Sequence, residues 1–357
     1  MKIRRAFLLY VRAFVLGWML TVIFCVYYVQ RAYDDDDRHS VFSKHDHPMN
    51  LPLDTVTCAT NFSLSGTLKE NLEKIANLSF AGAQPYLENL GLISSPKKPS
   101  MQFPVIATAA SSQFFLLSQG LVKSISDKIV PAFRDVKIIY YDIGLTSEDL
   151  LLLRRNCKRC EIRNFPFDRV PAHVSNLHTY AFKVIIINQL YQEFGYVWWV
   201  DSSIRFITDE FALPLKYVRE NGILFFTYDG NVNVAYHTHL QTFKYFSEDP
   251  CVFKNIGEIE AGNLVFRKSN VADIVLRQWA SCALVEGCIS PANSKRFCER
   301  SADEMDDSLI GHCHRFDQSA LSILLRRLFH KRNDYPLVEE PFKLVMVQRK
   351  HGIPYFV

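Results

Sequence analysis

The sequence predicts an α/β protein built on a mainly parallel sheet flanked by helices. Short apolar runs such as "PVIATAAS" (104–111) and "VKIIYYDIG" (136–144) have strand length and lack the polar alternation of a strand with one wet face. Helical stretches separate the runs, as a sheet covered on both faces requires. Four runs also end on polar groups: Ala110-Ser111-Ser112, Asp142, Asp201-Ser202-Ser203 and Asp229.

The elements follow in order. Residues 1–12 hold Lys2, Arg4, Arg5 and Arg12 and no acid, so they account for the whole formal charge of +4 and leave 37 basic and 37 acidic side chains beyond them. That balance argues against nucleic acid as a partner. Residues 13–29, "AFVLGWMLTVIFCVYYV", are uncharged and just long enough to span hydrocarbon. A cleaved signal peptide is the competing reading, but the segment ends in bulky "CVYYVQ" with no small-residue cleavage site. As a signal-anchor flanked by basic residues before and Asp34 to Asp37 after, it places the N-terminus in the cytosol and the rest in the Golgi or ER lumen. Asn61 and Asn77 head N-glycosylation sequons. Residues 30–101 read as a stem, with a short amphipathic helix near Leu68–Leu78 and a linker at "SSPKKPS".

The catalytic domain is expected over 102–357. A helix follows the first strand to about residue 128, and "TSEDLLLLRRN" (146–156) follows the second, its Ser147-Glu148-Asp149 suiting a helix start. Next come a strand at "EIRNFPF" (161–167), a helix at "HTYAFKVIIINQLYQEF" (178–194) and a strand at "YVWWVD" (196–201). Further strands lie at "NGILFFTYD" (221–229) and "AGNLVFRKS" (261–269), with a helix from Val271 to Gly287. Eight cysteines lie beyond the apolar segment: Cys58, Cys157, Cys160, Cys251, Cys282, Cys288, Cys298 and Cys313. An even number in an oxidising lumen suits disulfides, and Cys157/Cys160 and Cys282/Cys288 are spaced for local pairs. Zinc binding by "CKRC" is the rival reading, weakened because no second pair follows at finger-like spacing.

Ligands of open α/β sheets bind outside the carboxyl ends of the strands, so the polar strand ends mark the candidate site, although each is also an ordinary turn former. A carboxylate held at the mouth of a rigid strand is a first ligand for a hard cation such as Mn²⁺ or Mg²⁺ bound to a diphosphate. Asp201 meets that demand, and Ser203 lies on the same side two residues on. Trp198 and Trp199 read as core, and Asp317 doubles as a helix-start residue. His237 and His239 read equally as surface residues or as parts of an acceptor loop. Arg326 and Arg327 read as the solvated end of a helix.

"YVWWVDSSIRF" (196–206) resembles the hydrophobic run and Asp-x-Asp signature of glycosyltransferases with the GT-A (nucleotide-diphospho-sugar transferase) fold, in the form Asp201-Ser202-Ser203. "EIEAGNLVFRKS" (258–269) and "HRFDQSALSILL" (314–325) are similar to the donor-sugar turn and the Asp-Gln helix start of those enzymes. With the anchor, "YAFKVIIINQL" and "QWASCALVEGCISP", the chain resembles an invertebrate family of type II membrane proteins related to glycosyltransferases. The resemblance covers about 100–357 and implies a Rossmann-type GT-A-like domain. It further implies a UDP- or GDP-linked nucleotide-sugar donor and a glycan or glycoprotein acceptor. Asp201 would touch metal or ribose, and Ser202 and Ser203 would lie in the signature, Ser203 at the second acid's place. Ala110, Ser111, Ser112 and Asp142 would lie near base and ribose, and Lys183 near the phosphates or base. Ala261 and Gly262 would admit the sugar, and Gln318 would face it with Asp317, the candidate general base. His351 in "KHGIP" resembles a segment that supplies a late metal ligand. Because Ser203 is neutral, His314, His351 or Glu260 would complete a cation site, or Lys183 and Arg205 would meet the diphosphate without metal. A sugar-nucleotide- or glycan-binding relative without catalysis is the alternative. An S-adenosylmethionine methyltransferase is disfavoured, since "ATAASSQ" after the first strand lacks the expected glycine-rich turn.

Overall fold

Capping, strand propensity and glycine stops place the elements where the sequence signals them. The computed structural model describes residues 58, 63–93, 102–227, 233–298, 310–311, 313–330, 344–349 and 353–356, all within the compact unit Thr55–Val357. The calls on Ala13–Val29, Asn61, Asp229 and His351 lie outside the described residues. Among the described residues no helix is long and apolar enough to cross a membrane.

Helix α1 (Leu68–Ala76) opens on a capping box between Thr67 and Glu70, and α2 is Gln84–Asn89. Strand β1 (Val105–Ala110), α3 (Ser112–Lys128), β2 (Ile138–Asp142), α4 (Ser147–Asn156) and β3 (Cys160–Asn164) form two successive crossovers. A second capping box, Thr146 with Asp149, starts α4. Helix α5 (Ala181–Phe194) stops at Gly195, whose φ of 65° favours glycine, and β4 (Tyr196–Val200) follows at once. Then come β5 (Ile204–Phe206), α6 (Ala212–Asn221), β6 (Ile223–Thr227), α7 (Leu240–Tyr245), β7 (Ile259–Arg267), α8 (Asn270–Ala283), α9 (Glu286–Ile289), α10 (Asp317–Leu328) and β8 (Val345–Val347).

The main sheet has the order β3-β2-β1-β4-β7-β6; β5 and β8 form a separate antiparallel pair. β1, β2, β3 and β4 run parallel, and β7 is antiparallel to both neighbours. The chain steps outward from β1 to β3 and then returns to β1's other side, so the strand order reverses between β1 and β4. A crevice opens at the carboxyl ends of strands where the order reverses in this way. Ala110 and Asp201 flank it.

Alternation along β4 divides the core. Tyr196, Trp198 and Val200 face a layer containing α3 and α6, whereas Val197 and Trp199 face a layer containing α1, α2, α5, α8 and α10. Two sequence readings change. Residues 63–93, assigned to the stem, belong to the core: Leu64, Ile75, Phe80, Leu87, Leu90 and Leu92 are buried in the second layer. The apolar face of α1 is short of cover by itself, and α8 supplies it. The last long strand, β7, is antiparallel to both neighbours, which brings its first residues, Ala261 and Gly262 among them, to the ligand edge. Arg326 and Arg327 are buried: Arg327 pairs with Glu248, and Arg326 donates to the Gly257 carbonyl at 2.6 Å. Their position in the last turn does suit the helix dipole, but packing against the loop before β7 removes them from solvent.

All eight cysteines pair, as Cys58–Cys251, Cys157–Cys160, Cys282–Cys288 and Cys298–Cys313. The zinc reading of "CKRC" is thereby overturned, because those two sulfurs are bonded to each other.

Candidate active site

The period of two puts Asp201 on the same side of β4 as Trp199, and the indole uses that alignment: Trp199 Nε1 donates to Asp201 Oδ1 at 2.7 Å. Lys183, in the first turn of α5, reaches the same oxygen at 3.3 Å and Asp317 Oδ2 at 2.9 Å. Its ammonium also lies 3.4 Å from the Ala261 carbonyl and 5.0 Å from the centre of the Tyr180 ring. Asp317 begins α10, and its carbonyl accepts from Trp279 Nε1 at 3.0 Å. Three elements therefore deliver Asp201, Lys183 and Asp317 to one ion network at the edge of the sheet.

The two carboxylates differ in exposure. The Asp201 side chain is 34% exposed, and that of Asp317 only 4%. Burial pushes the Asp317 carboxyl up to about 6 against the opposing pull of Lys183. For Lys183, burial works to lower the ammonium's value, but the charges of Asp201 and Asp317 outweigh it and raise it. The lysine is thus charged throughout the physiological range.

Gly262 leaves room beside the open carboxylate. A Cβ there would stand 3.0 Å from Asp201 Oδ2, and the Asp201 amide donates to the Gly262 carbonyl at 2.9 Å. Opposite β6 the register jumps from Phe225–Leu264 to Phe226–Glu260, so Ala261, Gly262 and Asn263 bulge from that pairing. Ala261 is buried and Gly262 half-buried.

The other predicted residues separate into groups. Ala110 is buried, and Ser111 is the N-cap of α3 without a side-chain cap bond. Ser112 accepts from Thr146 N at 2.8 Å and pairs with Asp149, and Asp142 Oδ1 accepts from Gly144 N and Leu145 N, at 2.9 and 2.7 Å. Both build the turn between β2 and α4. Ser202 is buried, and Ser203 is half-buried with its carbonyl accepting from Gln348 N at 2.8 Å. Gln318 donates to Glu258 Oε2 at 3.0 Å. Asn77, the C-cap of α1, is exposed as a glycan acceptor must be.

Two donor-site calls are corrected. Lys183 is only 3% exposed, enclosed by the carboxylates it joins, and does not reach out to a diphosphate. Arg205 turns away from the edge: its guanidinium donates to the Ser202 and Ile204 carbonyls and lies across Gly120. Gly120 sits eight residues into α3, about 12 Å below the edge. Burial without a carboxylate partner lowers its affinity for its proton.

Among the residues offered for a cation, His314 is excluded. It is buried, Nδ1 accepts from His239 N and Nε2 faces the Ile289 carbonyl, and burial lowers its ring to about 3. Among the described residues the only ligand cluster is His237 with Cys298 and Cys313, and those cysteines form a disulfide. At Asp201, Oδ1 already serves Trp199 and Lys183, leaving Oδ2 and the Ser203 hydroxyl. A hard cation takes about six oxygen ligands, so these groups do not make its site, and an ammonium 3.3 Å from the carboxylate opposes it.

Sequence reasoning missed the Trp199–Asp201 bond, although two-residue spacing on one strand signals it. It also missed Glu258, a fully buried carboxylate 2.9 Å from His237 Nδ1. His237 was read as loop surface or acceptor contact; it is buried, 1% exposed, beside that carboxylate.

The profile of the family described as "Protein of unknown function (DUF1647)" matches residues 69–188. No curated protein matches the chain. Solved structures that it resembles in fold are glycosyltransferases. The bifunctional glycosyltransferase WbbM is 12% identical, with 70% of this chain and 40% of that one covered and a TM-score of 0.40. The mannosyltransferase Ktr4p from S. cerevisiae in complex with GDP is 10% identical, with 72% and 80% covered and a TM-score of 0.35. Core-mannan synthase A from Aspergillus fumigatus, in an Mn/GDP form, is 6% identical, with 66% and 72% covered and a TM-score of 0.35. The chain thus spans less than half the length of WbbM. At these TM-scores function has to be read from the side chains.

Proposed function

We propose that this chain is a glycosyltransferase that moves a sugar from a nucleotide-sugar donor, UDP- or GDP-linked, to a glycan or glycoprotein acceptor, working as a type II membrane protein of the Golgi or ER lumen. The observation that carries the reading is a half-open carboxylate, Asp201, fixed at the strand-order reversal by Trp199 and Lys183 and faced by a glycine that keeps its outer oxygen clear. Such an oxygen accepts hydrogen bonds from ribose or sugar hydroxyls, and the fixed geometry spares the enzyme the cost of arranging it on binding.

In this reading Asp201 touches the donor, while Lys183 and Asp317 act behind it as positioning residues. Burial is the reason for moving Asp317 out of the general-base role: at 4% side-chain exposure it is shielded from an acceptor hydroxyl. No divalent cation is given a role in this reading, because Asp201 Oδ2 and the Ser203 hydroxyl do not by themselves make its site.

The test is hydrolysis or transfer of UDP- and GDP-sugars by the full chain, with and without Mn²⁺, against Asp201→Asn. Loss of turnover by a factor of about 100 or more, with the melting temperature kept, is expected for a residue that touches the reacting substrate. Unchanged turnover in that variant overturns the site. Binding of nucleotide-sugar without turnover in the wild-type protein would instead establish the non-catalytic alternative.

A further inference from the structure

A second buried polar cluster adjoins the site and is not used by the mechanism above. Glu258, immediately before β7, is fully buried. Its Oε2 accepts from Gln318 Nε2 at 3.0 Å and lies 2.9 Å from His237 Nδ1 and 3.4 Å from Arg315 Nη1. The surrounding backbone is tied in as well: the His237 carbonyl accepts from Ser319 Oγ at 2.6 Å and from Arg315 N at 3.2 Å. The loop carrying His237, the start of β7 and the start of α10 thus meet on one carboxylate. Between Arg315 and Gln318, Phe316 adopts a φ of 47°, a conformation bulky side chains rarely take, so this helix start is held against local preference.

The chemistry of the carboxylate settles an orientation. A carboxylate only accepts, so the end of the Gln318 amide turned towards it must be the amino group. The carbonyl oxygen is then the end left over, and among the described residues it has no protein partner. Gln318 is half-buried and directly follows Asp317, whose carboxylate pairs through Lys183 with Asp201. A charge as deeply buried as Glu258 persists only when paired, and Arg315 beside it supplies the counter-charge.

We propose that Glu258 is a positioning residue for donor selection: it locks the Gln318 carboxamide so that an acceptor oxygen, and not a donor amino group, is presented to the donor sugar. A hydroxyl of that sugar must then donate to Gln318. This rests on the transferase reading, in which the donor sugar lies along Asp201 and Gly262.

A fluorine-for-hydroxyl exchange tests the polarity, because fluorine cannot donate. The probes are UDP-glucose, UDP-galactose and GDP-mannose with their deoxyfluoro analogues, and the readout is the ratio of Kd values for each pair on the full chain. For the best-bound donor the expected result is one hydroxyl position at which fluorine weakens binding by about tenfold, the size of one hydrogen bond to a fixed partner. In Glu258→Gln, whose own amide presents either end, the ratio falls to about twofold or less. Gln318→Ala, which leaves Glu258 with Arg315 and His237, removes the preference directly and serves if Glu258→Gln fails to fold. Persistence of the tenfold ratio in either folded variant overturns the proposal, as does a wild-type protein that discriminates at no position. Failure of the transferase reading looks different: the wild-type chain then binds none of the three parent donors, and both ideas fall together.

Discussion

Asp317 and Asp201 share one ammonium group but differ in their access to water, and that difference can be read by titration. Folding raises the Asp317 carboxyl to about 6, whereas an unfolded chain holds it near the ordinary carboxylate value of about 4. The folded state therefore favours the protonated form. The stability tied to this proton is present below about pH 4 and is lost as pH rises through about 6. Relative to Asp317→Asn, whose amide does not titrate, the wild-type protein should lose on the order of 3 kcal/mol between pH 4 and pH 7. Thermal melts of both proteins across that range check it, and a constant difference would contradict the assignment. Lys183 stays charged over this window and adds no slope of its own, because the two carboxylates raise its ammonium further above neutral pH.

At the scale of elements, α3 and β5 meet through a contact that a single methyl group would break. A Cβ at Gly120 would fall 2.6 Å from the Arg205 guanidinium, which is itself bonded to two carbonyls. Alanine in a helix interior gains about 1 kcal/mol over glycine. Displacing a buried guanidinium from its acceptors costs about 1.5–3 kcal/mol. Gly120→Ala should therefore destabilise by about 0.5–2 kcal/mol in denaturant unfolding, the reverse of what helix propensity alone gives. Most elements were legible in the sequence: the capping boxes at Thr67 and Thr146, the apolar strands and the stop at Gly195 are local signals. The direction of β7 was not, because an apolar run reads the same for either sense and only its neighbours decide. Nor was the fate of Arg205, whose place depends on a glycine some 85 residues away in sequence. Asp201 could be found because a strand anchors it, whereas the pairing of Glu258 with Gln318 joins residues 60 apart and leaves no local pattern.

For the whole molecule, the largest constraint is the Cys58–Cys251 bridge, which spans 193 residues. The bridges Cys157–Cys160 and Cys282–Cys288 span only 3 and 6. If cross-links act mainly on the freedom of the unfolded chain, the long one contributes more, and removing it costs about 2–5 kcal/mol. Cys58→Ser with Cys251→Ser should lower the melting temperature by several degrees, and by more than the paired replacement of Cys157 and Cys160. Equal effects would show that local geometry, not loop length, sets the contribution.

That same bridge joins the segment before the first strand to a point two-thirds of the way along the chain. A protease cutting the backbone between α2 and β1 would leave both fragments attached through sulfur. Separating the two pieces would then demand a reductant as well as a cut, so a nick at that position is a two-key event.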